Sequence, residues 1–297
     1  MQWLGFYQYN FLSMQISSGS RFMLFSCFFA SLAHLGVKWL RHIPTVEVIF
    51  FNALFALLAS VVTLRYRQRS VWGKNHGLLL AQGVAGTLGI TLYFFTLQHM
   101  PLPSAVTLNL TAPIFAAAIG TFIAKEALRL SQYFYFALSF AGVVLINGFA
   151  LSEASWYTFS GLVGALFGGL SYNFTRKIRH QEHPRVVAVY SYVVTIPLTG
   201  VYLLHNFVAP QPQDVLMLSM ISVLGYMAHY YSIKAYQQGP IATVSATAYI
   251  AVVYALLFGY LFLGETLPCL KLLGLGLVLL GVLLHTVHRP KKDASAR

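Results

Sequence analysis

Ten long apolar stretches, separated by short polar or proline-containing breaks, restrict this chain more than anything else in it. Their approximate limits are Phe22–Lys38, Val46–Leu64, Gly77–Gln98, Pro101–Ile123, Gln132–Ala150, Phe159–Thr175, Val186–Leu204, Val215–Ala235, Pro240–Leu263 and Pro268–Val287. A helix needs roughly 20 apolar residues to cross a bilayer, and only self-satisfied backbones can sit in lipid. The stretches lack the alternation of a barrel strand. Charge agrees: 9% of the 297 residues are Asp, Glu, Lys or Arg, against about 25% in soluble domains. A soluble enzyme, a disordered chain and a disulfide scaffold are excluded, the last because the chain has two cysteines, Cys27 and Cys269. The expectation is an all-α membrane protein with ten transmembrane helices.

The net charge of +12 does not point to nucleic acid. Basic residues fall in small groups between apolar runs: Arg65, Arg67, Arg69 and Lys74; Arg176, Lys177, Arg179 and Arg185; Arg289, Lys291, Lys292 and Arg297. With the N-terminus in the cytoplasm, Arg21, Lys125, Arg129 and Lys234 join these on the inside, sixteen of the nineteen Lys and Arg. Lys38, Arg41 and Lys271 fall outside. The positive-inside rule therefore predicts a multi-pass protein of the inner or plasma membrane with both termini cytoplasmic. Residues 1–21 form an aromatic-rich tail without signal-peptide features. Translation from Met1, Met14 or Met23 stays open.

A weak repeat runs through the apolar stretches in one constant, ungapped register. Lys38 maps onto Lys177, Gly86 onto Gly225, Pro101 onto Pro240, Glu126 onto Glu265 and Gly142 onto Gly281. Each repeat would hold five spans, 22–150 and 159–287, joined by a linker at 151–158 and followed by a basic tail at 288–297. Five is odd, so the second copy enters the membrane from the opposite side. Inverted repeats are the usual basis of alternating-access transport, with the solute near the midplane.

At this point the sequence resembles the drug/metabolite transporter superfamily, in particular its EamA-type members with ten helices in two five-helix repeats. The likeness rests on Pro101-Leu102-Pro103-Ser104-Ala105, Pro113 and Lys125-Glu126 in the first half. In the second half it rests on Gly239-Pro240-Ile241-Ala242 and Gly264-Glu265-Thr266, and the segment from His42 to Phe51 looks like the start of the family's second helix. The resemblance implies a permease for small solutes, often an exporter, with a central cavity. Two departures stand out. Many members follow the Phe-Phe pair with Arg, whereas this chain has Asn52, and Val252 stands at the counterpart of Pro113.

Mid-span polar side chains are the candidate solute contacts, because hiding from lipid directs them into the bundle. They are His34, Asn52, Tyr93, Asn109, Thr111, Tyr172, Asn173, Tyr226, His229, Tyr230 and Tyr249. For each, an interhelical hydrogen bond is the competing role. Pro113 is a candidate hinge, while Pro101 and Pro240 open helices and Glu126 and Glu265 tie helix ends to neighbours. Lys234 is expected to snorkel to the surface. Glycines such as Gly164 and Gly168 mark close helix packing, not a phosphate loop. No metal cluster, catalytic set or cofactor motif emerges. The partners expected are a small-molecule solute and the lipid bilayer; a membrane-embedded lipid or isoprenoid enzyme and a non-transporting receptor are the alternatives.

Overall fold

The computed structural model describes residues 17–40, 42–99, 102–123, 130–147, 155–263 and 269–287. Glu126, Glu265, Pro101, residues 1–16 of the N-terminal tail and the basic C-terminal tail lie outside these residues, while residues 18–21, expected in the tail, already belong to the first helix. The described residues are helical throughout, with no strand. In chain order the helices are α1 (Ser18–Trp39), α2 (Thr45–Tyr66), α3 (His76–His99), α4 (Leu102–Asn109), α5 (Ala112–Ile123) and α6 (Leu130–Asn147). The second half follows with α7 (Ser155–Lys177), α8 (Pro184–Asn206), α9 (Pro212–Gln238), α10 (Ile241–Ala248), α11 (Ile250–Leu263) and α12 (Cys269–Val287).

Local chemistry starts these helices where the polar breaks fall. Ser17 accepts a hydrogen bond from the Ser20 amide at 3.0 Å to cap α1. Pro184 and Pro212 stand in the first turns of α8 and α9, where a missing N–H costs little. Asp214 Oδ2 accepts from the Gln211 amide at 2.9 Å, closing the first turn of α9.

Two of the apolar stretches are each split into a pair of helices. The fourth breaks at Leu110–Thr111, just before Pro113, and the ninth breaks at Tyr249. Both breaks tighten into short-range turns, Thr111 N–H to the Leu108 carbonyl and Tyr249 N–H to the Ala246 carbonyl. The register that carries Lys38 onto Lys177 also carries Leu110 onto Tyr249. The second half therefore breaks at the matching place although Val252 replaces the proline.

The burial pattern is that of a protein solvated by lipid. Large apolar side chains face outward, Val62 at 66% exposure and Leu216 at 75%, while Gln82, Thr96 and Asn173 are buried. Among the described residues six helical segments are long and apolar enough to cross a membrane: α1, α2, α3, α8, α9 and the line Ile241–Phe262. The α7 segment is not among them. It spends its Gly, Ser and Thr residues on α3, α5 and the interior rather than on lipid.

Helices from the two halves interlock. The main pairings are α1 with α9, α3 with α7, α2 with α8, and α6 with α12. Further contacts join α3 to α8, α2 to α9, α5 to α7, and α1 to α10 and α11. In the α6–α12 seam a side chain on Gly142 would meet the Gly274 carbonyl and the Val278 amide. One on Gly281 would meet the Tyr135 carbonyl and the Ser139 amide. Tight small-residue seams of this kind replace the hydrophobic effect in lipid.

The ends of the bundle differ in charge. One end gathers the close of α2, the starts of α1, α3 and α8, and the close of α7 and α9, together with Arg65, Arg67, Arg69, Lys74, Arg176, Lys177, Arg179 and Arg185. The other end holds the α1–α2 connection, the close of α3, the α8–α9 connection and the start of α9.

Candidate functional site: a central cavity without charge

A cavity of about 270 Å³ lies where α1, α2 and α3 meet α7, α8 and α9. Polar side chains that line it are Ser26, His34, Asn52, Gln82, Thr87, Tyr93, Asn109, Ser171, Tyr172, Thr175, Ser191, Tyr192, Thr195, His229, Ser232 and Tyr236. Among the described residues that line it, none is Asp, Glu, Lys or Arg. A smaller chamber of about 50 Å³ adjoins it, sharing Ala30, His34, Tyr93 and Asn109 and extending toward Ala255 and Phe258.

One wall of the cavity is a hydrogen-bonded strip between α3, α7 and α8. Gln82 Oε1 accepts from the Ser191 hydroxyl at 2.9 Å, and Gln82 Nε2 donates to the Ser171 hydroxyl at 3.2 Å. Further along, the Thr87 and Thr195 hydroxyls meet at 2.7 Å. Glycine lets the backbones come this close: a side chain on Gly89 would meet the Gly164 carbonyl and the Gly168 amide.

Aromatic rings form the other walls. Tyr172 and Tyr236 stack with centroids 4.3 Å apart and planes 15° from parallel. His34 packs edge-on against Tyr93 at 5.3 Å, its Nδ1 3.4 Å from the Tyr93 hydroxyl. Elsewhere in the lining, His229 lies 5.3 Å from Tyr192. His229 Nε2 and the Tyr192 hydroxyl are buried without a hydrogen-bond partner. Buried polar groups without a partner are uncommon and costly, which sets these two atoms apart within the lining.

Six of the residues expected from the sequence therefore line the cavity: His34, Asn52, Tyr93, Asn109, Tyr172 and His229. The other five do other things. Thr111 donates to the Leu108 carbonyl at 2.7 Å inside the α4–α5 break. Asn173 spends its amide on the carbonyls of Ala116 and Gly169, both at 2.9 Å, tying α7 to α5. Tyr226 stacks on Tyr230, whose ring carries the Arg185 guanidinium at 4.5 Å. Tyr249 is fully buried at the second break, 6.4 Å from Phe136. Pro240 caps α10, accepting at its carbonyl from Val244 N–H at 3.0 Å. Lys234 rests on the Phe22 ring at 4.1 Å, outside the cavity.

Gln82, Ser171, Ser191, Tyr192 and Tyr236 are lining residues that the sequence reading passes over. Gln82 carries the same signal as Asn52, an amide inside an apolar run. The hydroxyls do not stand out, because Ser and Thr are common in membrane helices.

The acids are elsewhere. Glu47, Glu182 and Asp214 are the described ones, and each joins the two halves at an end of the bundle. Glu47 Oε2 accepts from the Val208 amide at 3.1 Å. Glu182 Oε1 accepts from the amides of Lys74 and Asn75, the latter at 2.8 Å. Asp214 Oδ1 lies 3.1 Å from His42 Nε2.

A polar chamber whose described lining carries no formal charge, enclosed by helices that turn apolar faces outward, is the arrangement of a multi-pass membrane protein with an internal solute-sized space. The sequence model of the EamA-like transporter family matches the chain twice, over residues 17–148 and 155–287. The chain belongs to the EamA-like transporter family, within the drug/metabolite transporter superfamily. It is similar to the pseudopaline exporter CntI of Pseudomonas aeruginosa, 25% identical over 78% of this chain and 82% of the relative. The riboflavin transporter of Rhizobium johnstonii is 23% identical over 93% of this chain and 94% of its own length. A solved crystal structure, 16% identical, shares the fold with a TM-score of 0.77 over 91% of this chain and 96% of that one.

Proposed function

We propose that this permease moves a small, uncharged, ring-bearing solute by alternating access, using two inverted five-span repeats at 22–150 and 159–287. The observation that carries the solute class is the cavity lining, which offers amides, hydroxyls, imidazoles and stacked tyrosines but, among the described residues, no formal charge. Stripping water from a charged solute is expensive unless a counter-charge meets it, and this lining has none. Tyr172, half-buried in the lining and backed by the fully buried Tyr236, is the ring that would meet a planar solute. His229 Nε2 and the Tyr192 hydroxyl, buried in the wall without a protein partner, are the atoms that a shift of the lining would turn toward the solute.

The inverted-repeat reading is supported by the helix pairings. Exchanging each first-half helix for its second-half counterpart turns the α1–α9 pair into α7–α3, the α3–α8 pair into α9–α2, and leaves α2–α8 and α6–α12 unchanged. The Gly142 and Gly281 contacts exchange in the same way. In this reading the basic end faces the cytoplasm, both termini lie there, and the protein sits in the inner or plasma membrane. The breaks at Leu110–Thr111, beside the candidate hinge Pro113, and at Tyr249 supply the flexing points.

Purified protein in proteoliposomes, offered labelled nucleosides, amino acids, dicarboxylates and polyamines, tests the reading. Counterflow of an uncharged ring-bearing solute is the result expected. Preference for a dicarboxylate or polyamine, or no flux for any member of the panel, would overturn it.

A further inference from the structure

The two ends of the bundle are held by contacts that follow the sequence repeat, partner for partner. At the end away from the basic cluster, Gln98 Nε2 donates to the Ile43 carbonyl at 3.1 Å. At the basic end Gln237 Nε2 donates to the Glu182 carbonyl, also at 3.1 Å. In the register that carries Lys38 onto Lys177, Gln98 falls on Gln237 and Ile43 on Glu182. The second pair of contacts obeys the same rule. His42 Nε2 meets Asp214 Oδ1 at 3.1 Å, and Asn75 Nδ2 donates to Gln181 Oε1 at 3.3 Å. His42 falls on Gln181, and Asn75 falls on Asp214.

The geometry gives these contacts separate jobs. His42 and Gln181 sit on the connections α1–α2 and α7–α8, and each reaches across to the start of α9 or α3 in the other half. Gln98 and Gln237 stay within their own half and hold the same connection in place. The crossing pair is therefore a lock, and the glutamine is its brace. Because His differs from Gln and Asp from Asn, the correspondence is spatial and does not depend on residue identity.

We infer that His42–Asp214 and Asn75–Gln181 are equivalent gates on opposite faces of the membrane, braced by Gln98 and Gln237, and that transport breaks one while the other holds. The inference rests on the alternating-access reading above. Both contacts are formed here, one toward each end of the bundle, with the cavity between them. They are chemically unequal. The basic-end gate is backed by two carboxylate bonds between the halves, from the Lys74 and Asn75 amides to Glu182, against one at the His42 end, from the Val208 amide to Glu47; Ile43, the counterpart of Glu182, is a buried hydrocarbon. Carboxylate-to-amide bonds are among the stronger hydrogen bonds. The resting protein should therefore open more readily at the His42 end.

Sided labelling of a cavity thiol tests this. Cys27 and Cys269 are replaced by Ser, Ser232→Cys is introduced in the cavity lining, and oriented proteoliposomes receive a membrane-impermeant maleimide on one face at a time. Asp214→Ala or Gln98→Leu should raise labelling from the His42 face relative to the other by about two- to fivefold, the bias an exposed pair supplies. Asn75→Ala or Gln237→Leu should shift the ratio the opposite way. The exchange H42D with D214H should restore the starting ratio, which guards against simple misfolding. Lock variants that all shift the ratio in one direction, or leave it unchanged while the thiol is still reached from both faces, would overturn the gate assignment alone. A thiol reached from only one face in every variant would overturn alternating access itself.

Discussion

Gln82 on α3 and Ser191 on α8 meet at 2.9 Å in the wall of the cavity, one residue from each half of the chain. The same glutamine reaches Ser171 on α7, so a single amide joins three helices where the solute would pass. Replacing it by leucine keeps the bulk and removes the bonds. Gln82→Leu should cost about 1 kcal/mol of stability per bond lost, because Ser191 retains its own bond to the Val187 carbonyl. Counterflow rates should fall at least tenfold. Rates at the wild-type level would show that the bridge serves packing only.

The α6–α12 seam makes a contrasting prediction. A side chain at Gly281 would press on the Tyr135 carbonyl and the Ser139 amide, both 3.0 Å from the new carbon, whereas Gly276 on the same helix has open space. Gly281→Leu should lower stability by about 1–3 kcal/mol. Gly276→Leu should stay within about 0.5 kcal/mol. Melting in detergent, read by intrinsic fluorescence, separates the two; equal melting points would contradict the seam.

Asn173 and His229 look alike in the sequence, each a polar residue deep in a span, but they occupy different surroundings. Asn173→Ala removes two side-chain bonds to the carbonyls of Ala116 and Gly169, which keep their helix partners, and should cost about 1 kcal/mol per bond lost without altering which solutes are moved. His229→Ala removes an atom that has no protein partner. It should weaken solute binding by about tenfold or more with little change in melting temperature. Calorimetric titration alongside thermal melting distinguishes the two patterns, and a reversal would exchange the roles assigned here.

His183 caps α8 by accepting from the Arg185 amide at 3.2 Å, which requires an unprotonated ring nitrogen. Burial, aided by the nearby charges of Arg69, Arg185, Arg67 and Lys234, pushes its pKa down from 6.5 to about 4. The folded state thus binds the proton less readily than the unfolded one. Its contribution to stability is fully present above about 6.5 and is lost as pH falls through 4. His183→Asn, which keeps a capping acceptor that does not titrate, should flatten the melting-temperature profile between pH 6.5 and 4. An unaltered profile would place the pH dependence elsewhere.

Much of this architecture is legible in the sequence, and the reasons for the remainder are physical. Helical segments form where the apolar runs are, and Gly142 and Gly281 keep their register because only glycine fits a backbone-to-backbone seam. Asn52, Asn109 and His229 can be found because lipid excludes them. Asn173 shares that signal yet turns toward helix carbonyls, since a one-dimensional pattern marks the depth of a residue and not its facing neighbour. The break at Tyr249 is hidden because no proline marks it. The terminal locks escape too: His42 matches Gln181, and Asp214 matches Asn75, only once space has brought each pair together.

Among the described residues the α6–α12 pair contributes no side chain to the main cavity and is bound mainly to itself. A spine placed this way can be made sturdier or looser without touching the chamber, and on the function proposed above the chamber residues can change their taste for cargo without loosening the spine.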